Sequence, residues 1–240
     1  MIPVAIVLSL LLATAACSSA HPSASAVAVH TAAATIAPSR AALMQVTGTK
    51  LKVALLPSSD FPAGFALAPR SAYDTGDVLT NGAPNYPLGT MSCSDLLNKI
   101  GDPGFGENAL ASNTMANHAG NGSFFQGIYQ FYDAVGASAF FSEVQAALGG
   151  RCHSFRLTST GVSMTVTAKV TVAPDVHGHR AFVLSFGGTQ QGSPLEGHSM
   201  LVLDDTDVCV AAWVSNGDAL PASPTLASIA ATLIAKLGPV

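Results

Sequence analysis

Four cysteines, three of the four histidines in the C-terminal half and an acidic turn are where this 240-residue chain could do chemistry. Cys17, Cys93, Cys152 and Cys209 could form two disulfides in an oxidising compartment, or one could carry a lipid and leave an odd thiol behind. His177 and His179 of "HGH", with His198 further on, could converge on a metal, because imidazoles two apart project to one side of an extended segment. The same residues suit a polar hairpin turn, and that is the role expected of them. Asp204, Asp205 and Asp207 of "DDTD" bear the oxygens calcium favours, yet they lack the loop length and closing Glu of an EF-hand and read as a tight turn. Ser, His and Asp are all present, but a triad is recognised by geometry rather than by presence. No G-x-S-x-G elbow, Walker A loop, H-E-x-x-H helix or G-x-G-x-x-G fingerprint occurs in the chain. No catalytic residue, metal ligand or cofactor is therefore expected, and the protein is expected not to be an enzyme.

The formal charge of −4 is spread thinly, with no block of Lys or Arg, so neither nucleic acid nor anionic lipid head groups are indicated as partners. The opening "MIPVAIVLSLLLATAAC" is an apolar run of signal-peptide length ending in small residues, shorter than the roughly 20 apolar residues of a spanning helix. Cys17 is followed by "SSAHPSASAVAVHTAAATIAPSR", a Ser/Ala/Pro tether with nothing to form a core. This order resembles the bacterial lipoprotein pattern, which implies a signal peptide over residues 1–16, a lipidated Cys17 as mature N-terminus with a disordered tether over 17–42, and a folded domain over 43–240. The implied address is the extracytoplasmic face of the cell membrane, with the N-terminal lipid as the membrane contact. The alternative is an ordinary signal peptide cut near Ala16 and a secreted protein.

The folded part must position whatever chemistry there is. Four helices are expected from spacing and caps: "TGTKLKVALLP" ended by Pro57; "SCSDLLNKIG" with Ser92 as N-cap and Asp95 three on; a third capped by Asp133, with Ala137, Phe140, Phe141, Val144 and Leu148 on one stripe; and a fourth with Ser223 as cap and Pro224 at the first helical position. "VSMTVTAKVTV" alternates without a fault, so one face should be buried and the other wet. "RAFVLSF", "HSMLVLD" and "DVCVAAWV" follow at short intervals through turn-rich joints, and "GFALAPRSAY", "NALASNTMAN" and "SFFQGIYQFYD" add up to three more strands upstream. The fold class is α+β: an antiparallel sheet of about six or seven strands flanked by about four helices.

If Cys17 is lipidated, three cysteines remain in the domain. Cys93 and Cys152 lie at helix ends beside turns, where side chains can meet without disturbing a sheet. Cys209 sits inside a strand and reads as a small buried hydrophobe, since no polarising neighbour is adjacent to it in sequence.

The order "TGTKLKVALLPSSDFPAGF", "YDTG", "SCSDLL", "SNTM", "YQFYDAVGASAFF", "RCHSF" and "VSNGDALPASPTLASIAATLIAKL" resembles that of actinobacterial lipoproteins with a domain similar to the PknH-like extracellular sensor domain of mycobacterial receptor kinases. The resemblance implies an antiparallel sheet flanked by helices, a cleft for a ligand, and a Cys93–Cys152 disulfide. The kinase sensors also carry a second disulfide, which Cys209 alone cannot make, and a kinase domain and spanning helix that have no counterpart in these 240 residues. The function expected is a lipid-anchored, non-catalytic ligand-binding or sensor-like module of the cell envelope, whose partner is a small ligand or an envelope protein. The alternatives are an envelope scaffold that docks other exported proteins and a hydrolase without a recognisable motif. The ligand cleft is assigned to the aromatic stretch Phe124, Phe125, Tyr129, Phe131 and Tyr132, for which the competing role is core packing.

Overall fold

The alternating runs form nine strands of one sheet, and all eight pairings between neighbours are antiparallel. The computed structural model describes residues 46–79, 88–100, 106–159, 162–190 and 192–238. The strands are β1 (Phe65–Leu67), β2 (Tyr73–Asp74), β3 (Ala109–Asn117), β4 (Gly122–Gln130), β5 (Ser154–Ser159), β6 (Val162–Val172), β7 (Arg180–Gln190), β8 (Ser193–Asp204) and β9 (Asp207–Ser215). Their order across the sheet is β1-β3-β4-β9-β8-β7-β6-β5, with β2 also paired to β3. The count exceeds six or seven for two reasons. "GFALAPRSAY" breaks into two short strands around Pro69, and β5 joins β6 at the edge although its sequence, SFRLTS, shows too few apolar residues to announce a strand.

Four α-helices clothe the sheet among the described residues: α1 (Gly48–Ala54), α2 (Cys93–Lys99), α3 (Ala134–Gly149) and α4 (Leu226–Leu237). Local chemistry sets their starts. The Ser92 hydroxyl accepts from Asp95 N–H at 3.1 Å, and Asp133 accepts from Gly136 N–H at 2.7 Å, each satisfying a donor that the first helical turn leaves orphaned. The fourth helix begins later than its sequence suggests. Ser223 and Pro224 precede it, and Thr225 is its N-cap, accepting from Ser228 N–H at 3.1 Å, because the apolar stripe itself starts only at Leu226.

Successive strand residues point to opposite faces, and here each face has its own core. On one face α1 and α4 pack over β3, β8 and β9, burying Leu51, Phe124, Ile128, Cys209, Trp213, Ile229 and Leu233. On the other, α3 packs over β6, β8 and β9 and α2 over β5, burying Tyr129, Phe141, Phe182, Leu184, Leu201 and Val210. The Cys93–Cys152 disulfide, with Cα atoms 5.4 Å apart, ties α2 to the turn after α3. None of the helices among the described residues is long and apolar enough to cross a membrane.

One part of the first face stays wet. The helices α1 and α4 stop over the β3–β4–β9–β8 half, and Ser163, Thr165, Thr167, Lys169 and Thr171 of β6 are exposed beyond them. The expected alternation of β6 therefore holds through its middle, with Met164 and Val166 buried. It fails at the end, where Val172 is 75% exposed because α3 does not reach it.

Candidate functional site

The aromatic stretch assigned to a cleft does not form one. Phe124, Phe125, Tyr129 and Phe131 are buried, and only Tyr132 is exposed. They also divide between faces: Phe124 packs under α1 against Phe61, Phe65 and Trp213 at centroid distances of 5.3, 5.4 and 4.8 Å, while Tyr129 and Phe131 meet Phe140 of α3 at 5.9 and 5.1 Å. With helices on both sides of β4, every side chain of the strand is core, so the aromatic run serves packing twice over.

The histidines separate as well. His179 lies where β7 begins and pairs with Asp204 through Nδ1 at 3.1 Å. His198 lies on β8, hydrogen-bonded through Nδ1 to Ser185 Oγ at 3.0 Å, and Ser185 is six residues along β7 from His179, about 20 Å of strand. No group of three His, Cys, Asp or Glu among the described residues is placed to hold a metal. The "DDTD" turn closes the β8–β9 hairpin, with Asp205 at φ 46° and Asp204 opposite Asp207. Cys209 is fully buried, and burial together with the carboxylates of Asp207 and Asp204 pushes its thiol pKa well up, which makes it inert at neutral pH. Cys17 lies outside the described residues.

Two grooves remain. One, of about 470 Å³, runs between His177, His179, Asp204 and Asp205 and the end of α4 at Ile234, Ala235 and Gly238. Within it Asp204 is paired with His179. The other, of about 340 Å³, lies on the uncovered β6–β7–β8 surface and is lined by Thr167, Lys169, Ser185, Gly187, Glu196 and His198, with Ala168 and Phe186. Both volumes suit a small ligand. In the second groove neither Lys169 nor Glu196 is in an ion pair among the described residues, so two opposite charges face the same open space without neutralising each other. Ser185 and His198 touch, but no carboxylate hydrogen-bonds the imidazole among the described residues, and a Ser–His–acid relay is not assembled.

Sequence reading placed Thr167 and Lys169 on the wet face of β6 but singled out neither, nor Ser185 or Glu196. What makes them one site is register across three strands, and the only local sign of it is the pair Gly187-Gly188 inside an otherwise apolar strand.

A single antiparallel sheet with helices on both faces, one pair of them tied by a disulfide, defines an α+β class of domain found among solved structures. Among these is the crystal structure of the extracellular domain of PknH from Mycobacterium tuberculosis: the similarity has a TM-score of 0.53 at 15% sequence identity and covers 81% of this chain and 97% of that one. At that identity the likeness is one of fold. No family model matches the chain, and no curated protein does either.

Proposed function

We propose that this protein is a non-catalytic, sensor-like ligand-binding module of the cell envelope, held at the extracytoplasmic face of the membrane by a lipid on Cys17. The observation that carries the binding role is the open β6–β7–β8 groove, where hydroxyls and charges with no ion pair among the described residues line a space of ligand size on the sheet. The extracytoplasmic address is supported by the fold shared with an extracellular domain and by a disulfide, which suits an oxidising compartment. The anchor is supported by the small residues before Cys17 and the Ser/Ala/Pro tether after it. The absence of a carboxylate partner for His198 among the described residues favours binding over hydrolysis.

Intact-mass spectrometry of the protein purified from membranes of a lipoprotein-processing bacterium tests the reading. The expected result is an N-terminus at Cys17 bearing acyl groups, together with a small molecule that dissociates on unfolding. An unmodified N-terminus beyond Cys17 overturns the anchor, and a chain that never retains or takes up a small molecule overturns the binding role.

A further inference from the structure

The groove has an order finer than its composition. In the register of β6, β7 and β8, Lys169 lies opposite Ser185 and Ser185 opposite His198, so these three form one row straight across the strands. In the next row on the same face, Thr167 lies opposite Gly187 and Gly187 opposite Glu196. The rows are two residues apart along each strand, about 6.7 Å.

The rows differ in hydrogen-bonding sense. Lys169 offers only donors. In the same row Ser185 is bonded to His198 Nδ1 at 3.0 Å, and when that nitrogen carries the proton it donates to Ser185 Oγ, freeing the hydroxyl hydrogen to point into the groove. When Nε2 carries the proton instead, the hydroxyl donates to Nδ1 and Nε2–H is left free, so in either tautomer the pair keeps one donor, and with Lys169 the first row presents donors and positive charge. In the second row, the Thr167 hydroxyl spends its hydrogen on Gly187 O at 3.3 Å, so its lone pairs remain, and the Glu196 carboxylate only accepts. Between them is Gly187. A Cβ there would meet nothing closer than Leu195 O at 3.7 Å, an ordinary contact. Packing thus does not demand glycine at this position, and its effect is to leave the space between Thr167 and Glu196 open.

We propose that the groove takes a small zwitterion, with its carboxylate on the Lys169–Ser185–His198 row and its ammonium over Gly187 between Thr167 and Glu196. A free amino acid is the simplest member of that class: it places the two charges a few ångströms apart, and both rows can be reached by their side chains from that separation. This inference rests on the reading of the groove as the ligand site. A ligand bearing only an anion would leave Glu196 repelling it; one bearing only a cation would leave Lys169 doing the same.

Calorimetric titration of the full chain with glycine, L-alanine, D-alanine and 4-aminobutyrate, against acetate and ethylamine as single-charge controls, tests it. At least one zwitterion is expected to bind tenfold or more tightly than either control. Glu196→Gln is expected to weaken the zwitterion by about tenfold to a hundredfold, as loss of a charged hydrogen bond does, while acetate binds no more weakly than to the parent, because the carboxylate that repels it is gone. Gly187→Leu should abolish binding by filling the space, with a melting temperature near that of the parent; Gly187→Ala, whose Cβ makes only an ordinary contact with Leu195 O, should weaken binding by the same crowding where the larger residue disturbs the fold. Acetate binding as well as the zwitterions, or a Glu196→Gln chain that binds them unchanged, overturns the zwitterion. If an uncharged disaccharide such as maltose binds instead and is lost in Gly187→Leu, the groove stands as the site and the ligand class falls. If the filled chain binds every probe as the parent does, both readings fall together.

Discussion

Asp204 and Asp207 lie opposite one another across the two-residue β8–β9 turn, and both are buried. Asp204 reaches His179 at 3.1 Å, whereas Asp207 hydrogen-bonds Gln130 and Thr206 beneath the sheet's first face. Burial raises both carboxyls, with the negative neighbours adding to the rise, and the pKa of Asp207 is pushed up to about 7. The folded chain therefore holds a proton on Asp207 more tightly than the unfolded chain does, whose Asp titrates near 4.

The consequence is a stability that falls as pH rises. The contribution of a proton held more tightly by the fold is fully present below about pH 4 and is lost as pH climbs through about 7. For one proton the slope is at most about 1.4 kcal/mol per pH unit. Urea unfolding at pH 5.5, 6.5, 7.5 and 8.5 should show the midpoint decreasing through about pH 7 and levelling off by 8.5, and Asp207→Asn should remove most of the decrease. A midpoint that increases with pH over this range contradicts the assignment.

Gln126 is the polar centre of the first core. Its amide accepts from Leu56 N–H at 2.9 Å and donates to Leu56 O at 2.8 Å and Asn113 Oδ1 at 2.9 Å, all buried, so one side chain fastens the segment after α1 to the middle of the sheet. Gln126→Ala strands both backbone groups of Leu56 at once. With each buried orphan costing about 1–3 kcal/mol, the variant should lose roughly 2–5 kcal/mol in urea unfolding. A loss below about 1 kcal/mol would mean that water replaces the amide freely.

This residue also shows where sequence ceases to be a guide. In SFFQGIYQ a glutamine at mid-strand reads as solvent-facing, and the aromatics around it read as a cleft, since nothing local says that helices cover both sides of β4. The strand β6 was legible because its period-two alternation reports burial directly, β7 to β9 because short apolar runs are separated by turn-rich joints, and α2 and α3 because Ser92 and Asp133 are caps whose partners lie three residues on. β5 was not, because Phe155 and Leu157 acquire meaning only opposite Val166 and Met164. The groove follows the same rule: Lys169, Ser185 and His198 are far apart in sequence and meet only through register.

The Cys93–Cys152 bond closes a sequence separation of 59 residues that spans α2, β3, β4 and α3. In the chain-entropy account a loop of this length contributes about 4 kcal/mol by restricting the unfolded chain. The double variant Cys93→Ala/Cys152→Ala should thus unfold at markedly lower urea, with little change in far-ultraviolet circular dichroism where it remains folded, because each partner sits at a helix end rather than inside the sheet. A destabilisation under 1 kcal/mol would indicate that the unfolded chain keeps α2 and α3 together without the bond.

Gly122 and Trp213 meet at the rim of the same core, and they supply a spectroscopic test of it. Trp213 is the single tryptophan of the chain, 2% exposed, and its ring meets Phe124 at 4.8 Å and Phe65 at 6.0 Å, tilted by 53° and 52° respectively. Gly122 stands two residues before Phe124 on β4, and the six-membered part of the indole lies directly over it, so that a Cβ at this position would fall within the ring. Gly122→Ala must push the indole outward, away from Phe65 and toward water, at an overpacking cost of about 1–3 kcal/mol. The expected signs are a red-shifted Trp213 emission in the folded state and a lower unfolding midpoint, with the β4–β9 pairing intact, since its backbone register does not depend on the side chain. Unchanged emission and midpoint would show that the ring does not rest on Gly122, and that the aromatic cluster is packed some other way.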